Sequence, residues 1–300
     1  MYAKSMSKKL AFIFPGQGSQ TVGMGYDFAQ EFPEFKPIFQ KYLSIADQKL
    51  GFKLSQIIET GPAEELKKTE ITQPALLTVS SAMAEFQRQK GVVAHLALGH
   101  SLGEYSALVY AGALDFSDAI HIVHKRGKFM SEAVPYGQGG MAALVGASVD
   151  DAQKLCEISA HADEVLQVSV FNCPGQIVVS GSISALERAE KNLPQVPGIR
   201  KLARLEVSGP FHCRLLEGAG TKLRDELQKV KMKSPKLPVI FNVTSKSEAD
   251  PVKMIELLVN QVSKPVLWEA SIREAIRLGT EDFQELGNGK VLSGLLRKIL

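Results

Sequence analysis

The stretch VVAHLALGHSLGEYSALVYAGAL, residues 92–114, restricts the fold more than any other part of the chain. VVAHLALGH reads as a buried strand and LGEYSALVYAGAL as a helix, which leaves Ser101 alone to turn the chain between them. The pentapeptide Gly99-His100-Ser101-Leu102-Gly103 suits such a corner, because a sharp strand-to-helix turn has no room for side chains beside its apex. A serine there has its hydroxyl lifted out of the sheet. The same turn puts the Leu102 amide at a helix N-terminus, where it can donate to a developing oxyanion.

The remaining pattern extends this unit into an α/β chain. KLAFIF (9–14) reads as another buried strand, followed by the Gly-rich loop PGQGSQTVGMG. TEITQPALLTVSSAMAEFQRQKG reads as a long helix with Pro74 near its first turn and Gly91 just past its end. The middle of the chain predicts strand 139–147, helix 150–161, strand 165–172, strand 176–181, helix 183–193 and strand 199–207. This βαββαβ order is that of a ferredoxin-like unit, with Asn172, Pro174 and Gly175 turning the central hairpin and Ser182 available to cap the second helix. Two parts follow: a large unit of residues 7–136 and 208–300, and a small one of 137–207 inserted in it. The large part resumes with the strand LPVIFNVT and ends with a strand, a Gly-rich turn and an amphipathic helix in EDFQELGNGKVLSGLLRKIL. VKMKSPKLP is expected to be a solvated connector.

Composition excludes several classes. The 300 residues are 45% hydrophobic and 22% charged, which argues against disorder. An excess of +3 is too small to make nucleic acid the main partner. No apolar run reaches the roughly 18 residues of a membrane span, and LAFIF stops at Pro15, short of a signal-peptide core. Cys156, Cys173 and Cys213 show neither disulfide-framework nor zinc spacing. The expected compartment is the cytoplasm, and Met1 and Met6 are alternative starts.

A serine hydroxyl needs a base, and six histidines are available. Strand alternation sends His100 to the face opposite Ser101, and His95 lies six residues before the corner. His121 and His124 are three apart on a helix starting near Ser117 but lack nearby acidic partners, so packing or surface roles are expected. His161 ends a helix of the inserted unit. His212, in VSGPFHCRLL, sits where the chain re-enters the large part through Gly209 and Pro210, and is the candidate base. On the helix FSDAIHIVHKRGKFM the apolar stripe Ala119, Ile122, Val123, Arg126, Met130 carries one arginine toward the core. Either an internal carboxylate pairs with it, its stem snorkels outward, or it holds a substrate carboxylate. Lys125 and Lys128 lie off the stripe and should be solvated. GQGSQTVG lacks the glycine at Thr21 that a dinucleotide fingerprint requires and has no Walker lysine. That loop is instead placed to give a second oxyanion donor from the backbone of Gln17.

FPGQGSQ (14–20), TQPAL (72–76), GHSLGEYSAL (99–108), KRG (125–127), GPFH (209–212), NQVSKPVLW (260–268) and GNGKVLSGL (287–295) together resemble the malonyl-CoA:acyl carrier protein transacylases and the acyltransferase domains of polyketide synthases. The resemblance spans nearly the whole chain. It implies an α/β-hydrolase-like large subdomain with an inserted ferredoxin-like small one. It also implies Ser101 as the acylated nucleophile, His212 as general base and acid, and Arg126 as the clamp on the malonyl carboxylate. The backbone amides of Gln17 and Leu102 become the oxyanion hole, and the main-chain carbonyl of Gln261 the group that orients the histidine. The substrates implied are malonyl-CoA and an acidic acyl carrier protein, with no cofactor, no metal and a monomeric enzyme. Lys125, Lys128, Arg200, Lys201 and Arg204 are the candidates for a basic docking surface. Two departures stand out: Asn288 occupies a turn where the family often has proline, and Phe211 looks like the malonyl-selective signature of the polyketide enzymes, where many stand-alone enzymes carry serine. A serine esterase or thioesterase would share the elbow and base, and a carrier-binding scaffold with a degenerate site is the non-enzymatic alternative.

Overall fold

A computed structural model describes residues 9–135, 137–161 and 163–300. The alternative starts Met1 and Met6, residues 7 and 8 of the expected large part, and its residue Tyr136 lie outside the described residues.

Two sheets organise the α/β molecule. Strands β1 (Leu10–Phe14), β2 (Leu96–Gly99), β7 (Val239–Phe241), β8 (Lys246–Ser247) and β9 (Asp282–Glu285) form one, in the order β8-β7-β2-β1-β9. Its pairings are parallel except for β7 with β8. β2 and β7 are fully buried, and β1 is buried from Ala11 onward, as their unbroken apolar runs predict for strands covered on both faces. The helix Gly103–Tyr110 packs on β1 and β2, and the helices Thr69–Gln89 and Phe116–Glu132 pack on it and on one another. Asp115 caps the third of these, accepting from the Ser117 amide.

The second sheet is antiparallel, ordered β4-β5-β3-β6, from β3 (Gly139–Val145), β4 (Leu166–Cys173), β5 (Gln176–Ser182) and β6 (Lys201–Arg204). Alternation along β3 and β5 divides its two faces. Ala142, Leu144, Ile177 and Val179 pack on the helices Val149–Ser159 and Ile183–Asn192 in a core of their own, whereas Met141 and Val178 face the larger core. β4 is also stitched to the rest of the molecule, the Phe171 amide donating to Val266 O and the Val266 amide to Ser169 O.

Three local expectations are corrected. Ser182 stands at the N-cap of Ile183–Asn192 but does not cap it, because its hydroxyl donates to Val165 O and accepts from the Val165 amide across the strand end. The strand expected over 199–207 is Lys201–Arg204 only, since past Leu205, whose amide still reaches Met141 O, the chain swings toward the cavity described below. Pro74 lies five residues inside its helix, so the helix begins earlier than a proline in the first turn would place it. The connector 230–238 is largely exposed, with Met232 buried and Val230 and Leu237 partly buried against the large core. Among the described residues no helix is long and apolar enough to cross a membrane.

Candidate active site

The corner after β2 turns at Ser101, whose φ is 50°, a left-handed conformation that costs a non-glycine residue about 1–3 kcal/mol. Its flanks admit only glycine. A Cβ on Gly99 would lie 1.9 Å from Gly103 C, and one on Gly103 would lie 2.0 Å from Phe14 O. Gly16 on the neighbouring loop is equally confined, its Cβ position falling 2.5 Å from His100 O. The loop after β1 and the corner after β2 are thus pressed backbone to backbone. Among the described residues, the amides of Gln17 and Leu102 have no protein acceptor, which leaves both free to donate into the cavity they line.

His212 arrives from the other side. Gly139 makes room for Pro210, whose Cγ would lie 2.5 Å from any Cβ there, and His212 follows at φ 60° with its amide donating to Val262 O at 3.2 Å. Its Nδ1 lies 2.6 Å from Gln261 O. A carbonyl only accepts, so the proton sits on Nδ1 and Nε2 is left to accept from the Ser101 hydroxyl at 2.8 Å. Burial pushes the His212 pKa down to about 3, helped by the neighbouring Arg126 charge, so the ring is a neutral acceptor at physiological pH.

Arg126 is 1% exposed, and its partners are all neutral. Nη1 donates to Gln73 Oε1 at 2.8 Å, and Nη2 donates to Gln261 Oε1 at 2.8 Å and to Ser101 Oγ at 3.1 Å, while Nε has no partner. Among the described residues no carboxylate pairs with it. The acidic groups beside it are Tyr105 and Glu104, and burial keeps both neutral near pH 7, pushing the Tyr105 hydroxyl well above its ordinary range and the Glu104 carboxyl up to about 8. The internal ion pair and the snorkelling stem are therefore both set aside. A buried guanidinium held by amide oxygens offers its charge to an incoming anion.

These groups meet in a cavity of about 220 Å³ between the ends of β1 and β2, the inner face of the second sheet and the C-terminal helix Val291–Ile299. Met141, Val178, Leu205 and Leu292 supply apolar wall, and Phe211, 5% exposed, lines it beside His212. His100 lines it as well, contrary to the alternation argument. Strand β2 stops at Gly99, the left-handed turn ends the alternation, and His100 Nε2 lies 3.0 Å from Oδ1 of Asn172, which lines the same cavity. His121 and His124 stay outside, but His121 has an acidic partner after all, Glu226 from another helix at 3.1 Å, and His124 Nδ1 donates to Glu70 O. His95 lies just before β2, against Thr280, and His161 is exposed just beyond the helix ending at Ser159. Lys128 is exposed and pairs with Glu132, Lys125 is half-buried rather than solvated, and Arg204 pairs with Glu190 on the second sheet. No group of three or more metal-ligating side chains is found among the described residues.

Sequence reasoning missed four contributors. Gln73 was visible only as part of TQPAL, although a buried amide amid the apolar face of a long helix is itself a signal. Asn242, directly after β7, accepts from the Ser101 amide through Oδ1 at 2.7 Å. Its place at the carboxyl end of a parallel strand, where ligand-facing residues gather, could have marked it. Glu104, 0% exposed, accepts from the Asn242 amide at 2.6 Å. The side chain of Gln261, beyond its carbonyl, donates from Nε2 to Ser101 O at 2.9 Å. At the unusual turn, Asn288 Nδ2 donates to Ser19 O and to Thr21 Oγ1, which ties the C-terminal Gly-rich turn to the Gln17 loop in a way proline could not.

The family model for the acyl transferase domain matches residues 11–287. The malonyl CoA-acyl carrier protein transacylase of Bacillus subtilis strain 168 is 44% identical over 291 residues, covering 97% of this chain and 90% of that protein. An acyl carrier protein S-malonyltransferase from Vibrio cholerae has a solved structure that matches with a TM-score of 0.92 at 40% identity, over 97% of this chain and 94% of that one. A malonyl-transacylase solved in complex with its type II PKS acyl-carrier protein matches with a TM-score of 0.93 at 38% identity, over 97% and 93%. Identity of this order along nearly the entire chain, with the same fold, settles the assignment: the chain is an acyltransferase of the acyl transferase domain family and belongs to its malonyl CoA-acyl carrier protein transacylases.

Proposed function

We propose that this protein transfers the malonyl group of malonyl-CoA to the phosphopantetheine thiol of acyl carrier protein through a malonyl ester on Ser101, supplying the extender unit for fatty acid synthesis. His212 Nε2 takes the hydroxyl proton as Ser101 attacks the thioester carbonyl, and the Gln17 and Leu102 amides receive the oxyanion. The tetrahedral intermediate then expels the CoA sulfur, which leaves with the proton from His212. In the second half the carrier's thiol gives its proton to His212 and attacks the ester, and Ser101 recovers its hydrogen as the acyl group departs. Arg126 holds the malonyl carboxylate throughout, and Phe211 shapes the wall on the acyl side.

The observation that carries this reading is Arg126, buried with no carboxylate partner among the described residues and 3.1 Å from the Ser101 hydroxyl. A carrier-protein partner is supported by the relative solved with its own carrier. The docking surface is assigned to the cationic side chains Lys125, Lys128, Arg200, Lys201 and Arg204. The strand order of the second sheet supports reading 137–207 as a ferredoxin-like subdomain inserted in a hydrolase-like one of 7–136 and 208–300. A monomeric, cytoplasmic enzyme that needs no cofactor completes the proposal.

Mass spectrometry of the protein mixed with malonyl-CoA tests it. The expected result is a malonyl adduct on Ser101, discharged by pantetheine thiols faster than by water. Arg126→Ala should depress malonyl loading far more than acetyl loading. Discharge mainly to water would make the protein an esterase, and equal losses for both acyl groups would remove the clamp.

A further inference from the structure

We infer that Asn242 is a positioning residue for the transfer reaction: its buried side-chain amide stands in for the missing rung of the β2–β7 ladder and so holds Ser101 in its left-handed conformation. Strands β2 and β7 run parallel in the register Ala97↔Val239 and Leu98↔Ile240. On the β1 side, backbone pairing continues through the corner, the His100 amide donating to Phe14 O at 2.9 Å. On the β7 side the backbone of β2 turns away, and the carbonyl of Gly99 and the amide of Ser101 would be left without partners. Asn242 supplies both. Its Nδ2 donates to Gly99 O at 2.7 Å, and its Oδ1 accepts from the Ser101 amide at 2.7 Å.

An asparagine amide fits because it is the one short, neutral side chain that donates and accepts in a single plane. Its own backbone is pinned on both sides, the amide donating to Glu104 Oε2 at 2.6 Å and the carbonyl accepting from Leu267 at 2.9 Å. The Ser101 carbonyl is held by Gln261 Nε2, whose other amide atom accepts from Arg126. The strained serine is therefore gripped at both backbone polar groups by buried amides, and one of them also carries the acyl-carboxylate clamp. Release of the Asn242 grip leaves the cavity and Arg126 in place but frees the hydroxyl to swing away from His212, so the loss should fall on acylation and not on substrate capture.

This rests on Ser101 being the acylated residue, and wild-type adduct formation is the control that separates the two claims. Rapid-quench mass spectrometry would follow acylation of Ser101 by malonyl-CoA. Asn242→Ala is expected to slow acylation at saturating malonyl-CoA on the order of 10- to 100-fold, with the half-saturating concentration changed less than about threefold. Asn242→Asp adds a readout that a merely structural role would not move. Its ionised carboxylate cannot donate to Gly99 O, whereas the protonated form can, so acylation by this variant should recover as pH falls, relative to wild type. The titratable groups around the position are Glu104 on the helix Gly103–Tyr110 and, beyond Gln261, Arg126 and His212; the wild-type profile accounts for them. Wild-type acylation rates in Asn242→Ala, a loss confined to half-saturation, or an Asn242→Asp profile that parallels wild type would each overturn the proposal. If the wild type forms no adduct, the functional reading itself fails.

Discussion

His212 and Arg126 show how burial sets reactivity at single residues. An imidazole in water would be partly protonated near neutrality, but this one has lost its hydration and faces a guanidinium, and both effects favour the neutral ring. The base should therefore remain available in the free enzyme well below pH 6.5. The second-order acylation constant with malonyl-CoA is expected to stay flat from pH 7 to about pH 5; an acid limb with an apparent pKa near 6.5 would contradict it. Once a malonyl carboxylate neutralises Arg126, one of the two downward influences weakens. The limb for turnover of the loaded enzyme should consequently lie at higher pH than the limb for the free enzyme. Both residues could be picked out from the sequence, Arg126 by its position on an apolar stripe and His212 by its loop. Their charge states could not, because these depend on what surrounds them.

The strand-corner-helix unit around Ser101 works by exclusion of side chains. Gly103 lets the helix Gly103–Tyr110 start against the backbone of β1, and a Cβ there would overlap Phe14 O at 2.0 Å. Since neither backbone can yield without moving the Gln17 loop, Gly103→Ala should cost about 3 kcal/mol, the upper part of the range for overpacking. It should also lower acylation by shifting the Leu102 amide. Urea unfolding and the acylation rate measured on the same variant would check this, and a wild-type midpoint with a wild-type rate would show that the corner is not tightly packed. Pattern alone predicted this unit, since glycines on both sides of a serine between two apolar periodicities leave few alternatives. The edge strand β6 was less legible. Among the described residues it pairs only with β3, and past Leu205, whose amide still donates to Met141 O, the chain serves the cavity wall instead of the ladder.

Across the whole molecule, one buried acid links the site to global stability. Glu104 lies beneath the corner with Oε1 unpartnered, and burial raises its pKa to about 8 from an ordinary 4.5. Between those values the folded protein keeps a proton that the unfolded chain has released, so this residue makes stability fall as pH rises from about 4.5 to 8. The slope reaches at most about 1.4 kcal/mol per pH unit. Glu104→Gln removes that titration. The stability gap between the glutamine variant and wild type, from urea unfolding at pH 5, 6.5 and 8, should therefore shift in favour of the variant as pH increases. A gap that stays constant would mean that Glu104 is ionised in the folded protein.

The linear chain by itself determined the two kinds of sheet, the elbow at Ser101, and the identity of the serine, imidazole and guanidinium, because each depends on local periodicity or on one residue's steric and chemical character. Only the tertiary structure decided that these three groups share a cavity, that the side chains of Gln73, Gln261 and Asn242 hold them, and that His100 faces inward. Hydrogen bonds between residues 141 and 160 positions apart, as from the Ser101 amide to Asn242 and from Gln261 to the Ser101 carbonyl, leave no periodic trace in sequence. They exist because parallel strands bring distant chain ends to one edge of a sheet, where buried polar groups must find one another.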